Sequence, residues 1–119
     1  MTMKIRPLVS VEEWNEALKA SEQQPLLVFK HSTRCPVSSG AHDELMNFLE
    51  DARNPKFYAV LVRVIEERPV SNTIAEGLGL QHASPQAILI EDGKVTWYAT
   101  HWDITYSVLE EQLGEHCEK

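Results

Sequence analysis

Residues 26–52 constrain this chain more than any other stretch. An apolar run, Leu26-Leu27-Val28-Phe29, leads into a polar segment, Ser32-Thr33-Arg34-Cys35, and the pair Cys35-Pro36 opens an amphipathic segment. The run is too short to stand as a free helix and reads as a buried central strand that delivers the chain to Lys30 and His31. Pro36 loses nothing at a first helical position, where its missing N–H would have had no partner. Ala41, Leu45, Phe48, Leu49 and Ala52 then continue on one helical face. The segment therefore predicts a strand, a short loop and a helix that begins just after Cys35.

The remaining elements fall into an alternating order. Ser10 with Glu13 three residues on forms a capping box before Val11, Trp14 and Leu18, which predicts a first helix over residues 11–20. Asn54-Pro55 stops the second helix, and the β-branched stretch from Phe57 to Val64 predicts a strand parallel to the first through a right-handed crossover. A shorter helix follows Pro69, with Ser71 or a neighbour as its cap, and ends at Gly77 and Gly79. Ala87 to Ile90, the turn Asp92-Gly93 and Val95 to Ala99 predict a hairpin. A last helix over residues 104–113 turns Ile104, Val108 and Leu113 inward. A short strand near residues 6–9 completes an α/β, thioredoxin-like fold: a mixed central sheet flanked by helices on both faces. At 119 residues and 43% apolar content, one domain over residues 1–119 is expected.

Charge and hydropathy narrow the function classes. The net charge of -7, without clustered Lys or Arg, argues against a nucleic-acid partner. No apolar run reaches the roughly 18–20 residues of a membrane span, and the first residues lack a signal-peptide core, so a cytoplasmic location is expected. The histidines His31, His42, His82, His101 and His116 show no paired ligand spacing, so no metal site is expected.

The chemistry concentrates on Cys35. A thiolate immediately before a helix meets the positive end of the macrodipole and unsatisfied amides, with the charge of Arg34 adjacent. The competing reading is a buried cysteine packed as a small hydrophobe, and the order strand, polar loop, Cys-Pro, helix argues against it. Three residues on, where a dithiol oxidoreductase carries its resolving cysteine, stands Ser38, which cannot expel a bound thiol. A mixed disulfide on Cys35 is then resolved by an outside thiol or by Cys117, the second cysteine, which lies in the terminal tail. Ser84-Pro85 enters a strand, where a cis bond would bring the Ser84 backbone beside Cys35. The base rate favours trans and the thioredoxin-like order favours cis.

The segments Lys30-His31-Ser32-Thr33 and Cys35-Pro36-Val37-Ser38 resemble the monothiol bacilliredoxins, whose motif has the form T-C-P-I-S. Arg34 stands between Thr33 and Cys35, and Val37 replaces the commoner isoleucine. The resemblance continues through Arg68-Pro69-Val70-Ser71-Asn72, His82-Ala83-Ser84-Pro85-Gln86 and His101-Trp102-Asp103-Ile104-Thr105. It implies a glutaredoxin-like monothiol oxidoreductase that removes bacillithiol from cytoplasmic proteins carrying it as a mixed disulfide. By that resemblance Cys35 is the nucleophile, with Pro36 and Ser38 beside it. No bound cofactor is implied, and bacillithiol is a co-substrate. Because bacillithiol carries carboxylates and a sugar, Lys30, Arg34 and Arg68 are candidate contacts, with Ser84 and Pro85 on the cysteinyl part. Two competitors stand beside this expectation. One is a glutaredoxin-like protein using glutathione, and the other is a non-catalytic peptide-binding module in which Cys35 is incidental.

Overall fold

A computed structural model describes residues 5–117. The element order is β1 (Arg6–Pro7), α1 (Val11–Ala20), β2 (Leu26–His31), α2 (Pro36–Asp51), β3 (Tyr58–Arg63), α3 (Arg68–Leu78), β4 (Gln86–Glu91), β5 (Lys94–Thr100) and α4 (Tyr106–Leu113), with short 3-10 turns at His101–Asp103 and Gly114–His116. The five strands form one sheet in the order β1-β3-β2-β4-β5. β1 and β2 run parallel to β3, whereas β4 is antiparallel to β2 and to β5. This is the α/β, thioredoxin-like fold that the alternation of elements predicts.

Strand alternation divides the core in two. Leu27 and Phe29 face α2 and α4, where they meet Leu45, Phe48, Leu49, Leu109 and Leu113. Leu26 and Val28 face the other side, where Trp14 of α1 and Val70 and Ile74 of α3 cover them. Every residue of β2 is buried, because a central strand with helices on both faces has no wet side.

The termini follow local chemistry. Ser10 caps α1 by accepting from Glu13 N at 3.1 Å, and the Glu13 carboxylate accepts from Val9 N, one residue outside the usual box. The β4–β5 turn places Asp92 and Gly93 at φ 53° and 76°, the left-handed pair that a tight hairpin needs.

Three expectations are corrected. Ser71 does not cap α3: the cap position is Glu67, without a side-chain bond, and Ser71 is buried one turn inside. α4 begins at Tyr106 and not at Ile104, because a 3-10 turn intervenes and Thr105 accepts from Val108 N as the cap. That start turns Leu109 into the core in place of Val108. Among the described residues no helix is long and apolar enough to cross a membrane.

Candidate active site

The sheet brings the chemistry-bearing residues to one end. β2 passes from His31 into the loop that carries Cys35, and β3 leads from Arg63, the register partner of His31, towards Arg68 at the start of α3. β4 runs the other way, with Gln86 opposite Lys30, so the preceding Ser84-Pro85 emerges at that same end. The Ser84-Pro85 bond is cis. Pro85 O accepts from His101 N at 3.1 Å, which draws in the 3-10 turn and its Trp102, 77% exposed.

Cys35 is the cap residue of α2, with extended backbone at φ -111° and ψ 121°, Pro36 following and a partly exposed side chain. Its amide donates to Ser32 O at 3.3 Å and its carbonyl accepts from Ser39 N at 3.0 Å, so backbone bonds hold it on both sides. No side chain caps α2, so the sulfur stands at a helix end whose amides are not taken by a cap. Arg34 and Arg68 are exposed, and neither forms an ion pair among the described residues.

Ser38 is fully buried. Its hydroxyl sits 2.7 Å from His31 Nδ1 and accepts from Ser32 N at 2.9 Å, which ties the start of α2 to the loop that precedes it. The rings of Phe29 and His42 stack on His31, with centroids 5.7 and 4.9 Å away. Burial pulls the His31 pKa down, and His42 adds to this, against smaller upward pulls from Glu66 and Asp43.

Lys30, grouped with Arg34 and Arg68 as a surface contact in the sequence, is fully buried. Its Nζ donates to Ser71 O at 3.1 Å and lies 3.3 Å from His82 Nδ1. Burial brings its pKa down to about 8. His82 also meets the Ser71 hydroxyl at 3.3 Å, so β2, α3 and the segment before Ser84 are joined at one polar knot. Sequence reasoning did not assign Ser71 and His82 to this end. The available signal was that the buried run of β2 continues through Lys30, which obliges its ammonium to find partners inside. Two buried acceptors beside the knot, Ser84 Oγ and Gln86 Oε1, have no protein partner.

Cys117 lies elsewhere. It lines a cleft of about 620 Å³ with Phe48, Asp51, Ala52 and Tyr106, at the last turn of α2. Its Sγ contacts Leu113 O at 3.7 Å, and burial pushes its thiol pKa up. Phe48 is 13 residues beyond Cys35, which at 1.5 Å per residue puts the two ends about 20 Å apart. A disulfide needs Cα atoms within about 7 Å, so Cys117 does not face Cys35 in this arrangement. Among the described residues no group of three or more His, Cys, Asp or Glu side chains is arranged to hold a metal ion.

A family model described as monothiol bacilliredoxin BrxC matches residues 6–109. A solved structure described as a presumed oxidoreductase with a thioredoxin fold is 30% identical, with a TM-score of 0.78 over 90% of this chain and 91% of that one. The thioredoxin of Malassezia sympodialis is 14% identical, with a TM-score of 0.75 over 96% of this chain and 91% of that one. Mitochondrial thioredoxin 3 of Saccharomyces cerevisiae is 19% identical, with a TM-score of 0.70 over 93% and 94%.

Proposed function

The chain belongs to the monothiol bacilliredoxin family, and from that premise we propose that it removes bacillithiol from protein mixed disulfides, with Cys35 as the nucleophile. Its general class is that of a thioredoxin-fold redox protein. The observation that carries the finer reading is a partly exposed Cys35 capping α2, with Ser38 in the place of a resolving thiol.

In the proposed reaction the Cys35 thiolate attacks the bacillithiol sulfur of a mixed disulfide. A new S–S bond forms on Cys35, the old one breaks, and the substrate's cysteine leaves as a thiolate that takes a proton from water. A second thiol then attacks the Cys35 mixed disulfide and regenerates the enzyme. The general helix-end field stabilises the anionic sulfur while it waits. Pro36 fixes the entry into α2. Arg34 and Arg68 are exposed cations at the same end, suited to carboxylates of the small thiol, and the backbone of Ser84 beside Pro85 is suited to its cysteinyl part. The proposed substrates are cytoplasmic proteins bearing bacillithiol. Bacillithiol acts as a co-substrate, and the chain works without a bound cofactor.

The test presents one model protein carrying either bacillithiol or glutathione on its cysteine and follows thiol release. Release is expected to be faster from the bacillithiol form and to be lost in Cys35→Ser. Equal rates, or release from the glutathione form alone, would sink the proposal.

A further inference from the structure

The hydrogen bonds of Ser38 can be counted. Its Oγ has one proton to give and two lone pairs to offer. Ser32 N donates into it at 2.9 Å and takes one lone pair. His31 Nδ1 stands 2.7 Å away, and two proton arrangements satisfy that contact. In one, Nδ1 is bare and Ser38 gives it the only proton, leaving no donor for any third group. In the other, Nδ1 carries a proton and donates into the second lone pair, and the Ser38 O–H is released. Ser38 lies three residues beyond Cys35, on the first turn of the helix that Cys35 caps. Cys35 is the cap and Ser38 the third helical residue, the two positions whose side chains meet over the same helix end in a capping box.

We propose that His31 is a positioning residue that acts through Ser38: its ring proton sits on Nδ1 when Cys35 is a thiolate, releasing the Ser38 hydroxyl to the sulfur, and leaves Nδ1 when the sulfur is blocked. The proton exchanges between Nε2 and Nδ1 through solvent, and no bond between heavy atoms is made or broken. This rests on the reading of Cys35 as the nucleophile. The surroundings favour a neutral ring that changes tautomer over one that charges. His42 and Asp43 reach it from α2, Glu66 from the segment after β3, and Arg63 is its register partner on β3. Within β2, Phe29 stacks on it, and burial opposes the imidazolium.

The test is the ring 15N spectrum of His31 in the whole protein, in a Cys117→Ser background so that Cys35 is the only thiol to react with iodoacetamide. Nδ1 should be protonated with Cys35 as the free thiolate and unprotonated after alkylation. An unchanged tautomer would overturn the proposal, and this reading needs no substitution near the site. Ser38→Ala should uncouple the ring from Cys35 and slow alkylation about tenfold, the size of one hydrogen bond to a charged acceptor. An alkylation rate equal to the parent's would also overturn it. Since no bacillithiol is involved, failure of bacillithiol transfer and failure of this coupling are separate results.

Discussion

Lys30 holds its amino group where no water reaches it, with Ser71 O and His82 as its partners. Its pKa falls from 10.5 to about 8 because burial disfavours the charge. Between those values the unfolded chain binds more proton than the folded one, so stability rises with pH across that window. Urea midpoints on either side of it should move in the wild type's favour relative to Lys30→Met, by on the order of 2 kcal/mol. A pH-independent difference would contradict the assignment. His31 and His82, both lowered chiefly by burial, add the same sign of dependence at lower pH, with stability lost as pH falls through their folded pKa values. Cys117 makes a kinetic counterpart. Its thiol is raised by burial, so in Cys35→Ser it should alkylate more slowly than free cysteine at neutral pH, followed by mass spectrometry.

The elements show which local signals carry structure. Ser10 and Glu13 announce α1, and its residues run from Val11 to Ala20 as the capping box predicts. Ser10→Ala should cost about 1 kcal/mol in urea unfolding. Gly79 closes α3 in a left-handed conformation at φ 63°, so Gly79→Ala should cost roughly 1–2 kcal/mol, although there is open space around the new methyl. The strand, loop and helix around Cys35 were legible because period and proline punctuation act over a few residues. The α4 register was not, since eight residues give barely two turns of period and Ile104 and Leu109 serve the core from either side of a cap. Nor was the Ser38 to His31 contact. A sequence places both residues near Cys35, but only the packing of β2 against α2 directs the hydroxyl towards the ring. In the sequence Lys30 stands with Arg34 and Arg68 as a candidate cation for the carboxylates of bacillithiol, whereas in the fold α3 and the His82 segment cover it, a contact between distant segments that local pattern does not carry.

At the scale of the molecule the sheet is a partition between two apolar layers. Leu45 belongs to the layer under α2 and α4, and Ile74 to the layer under α1 and α3, each fully buried. Alanine at either position should cost about 2–5 kcal/mol, and the double variant should equal their sum within about 0.5 kcal/mol, because the two sites belong to separate layers on opposite faces of the sheet. A larger discrepancy in chemical denaturation would mean that the layers are coupled through the strands. The same partition runs lengthwise along α2, whose first residue follows one thiol while its last turn borders the other. The two thiols therefore meet different surroundings: the one at the head of α2 is partly exposed at a helix end, and the one at its foot is held back by burial, so a limiting amount of a thiol reagent should mark Cys35 before Cys117.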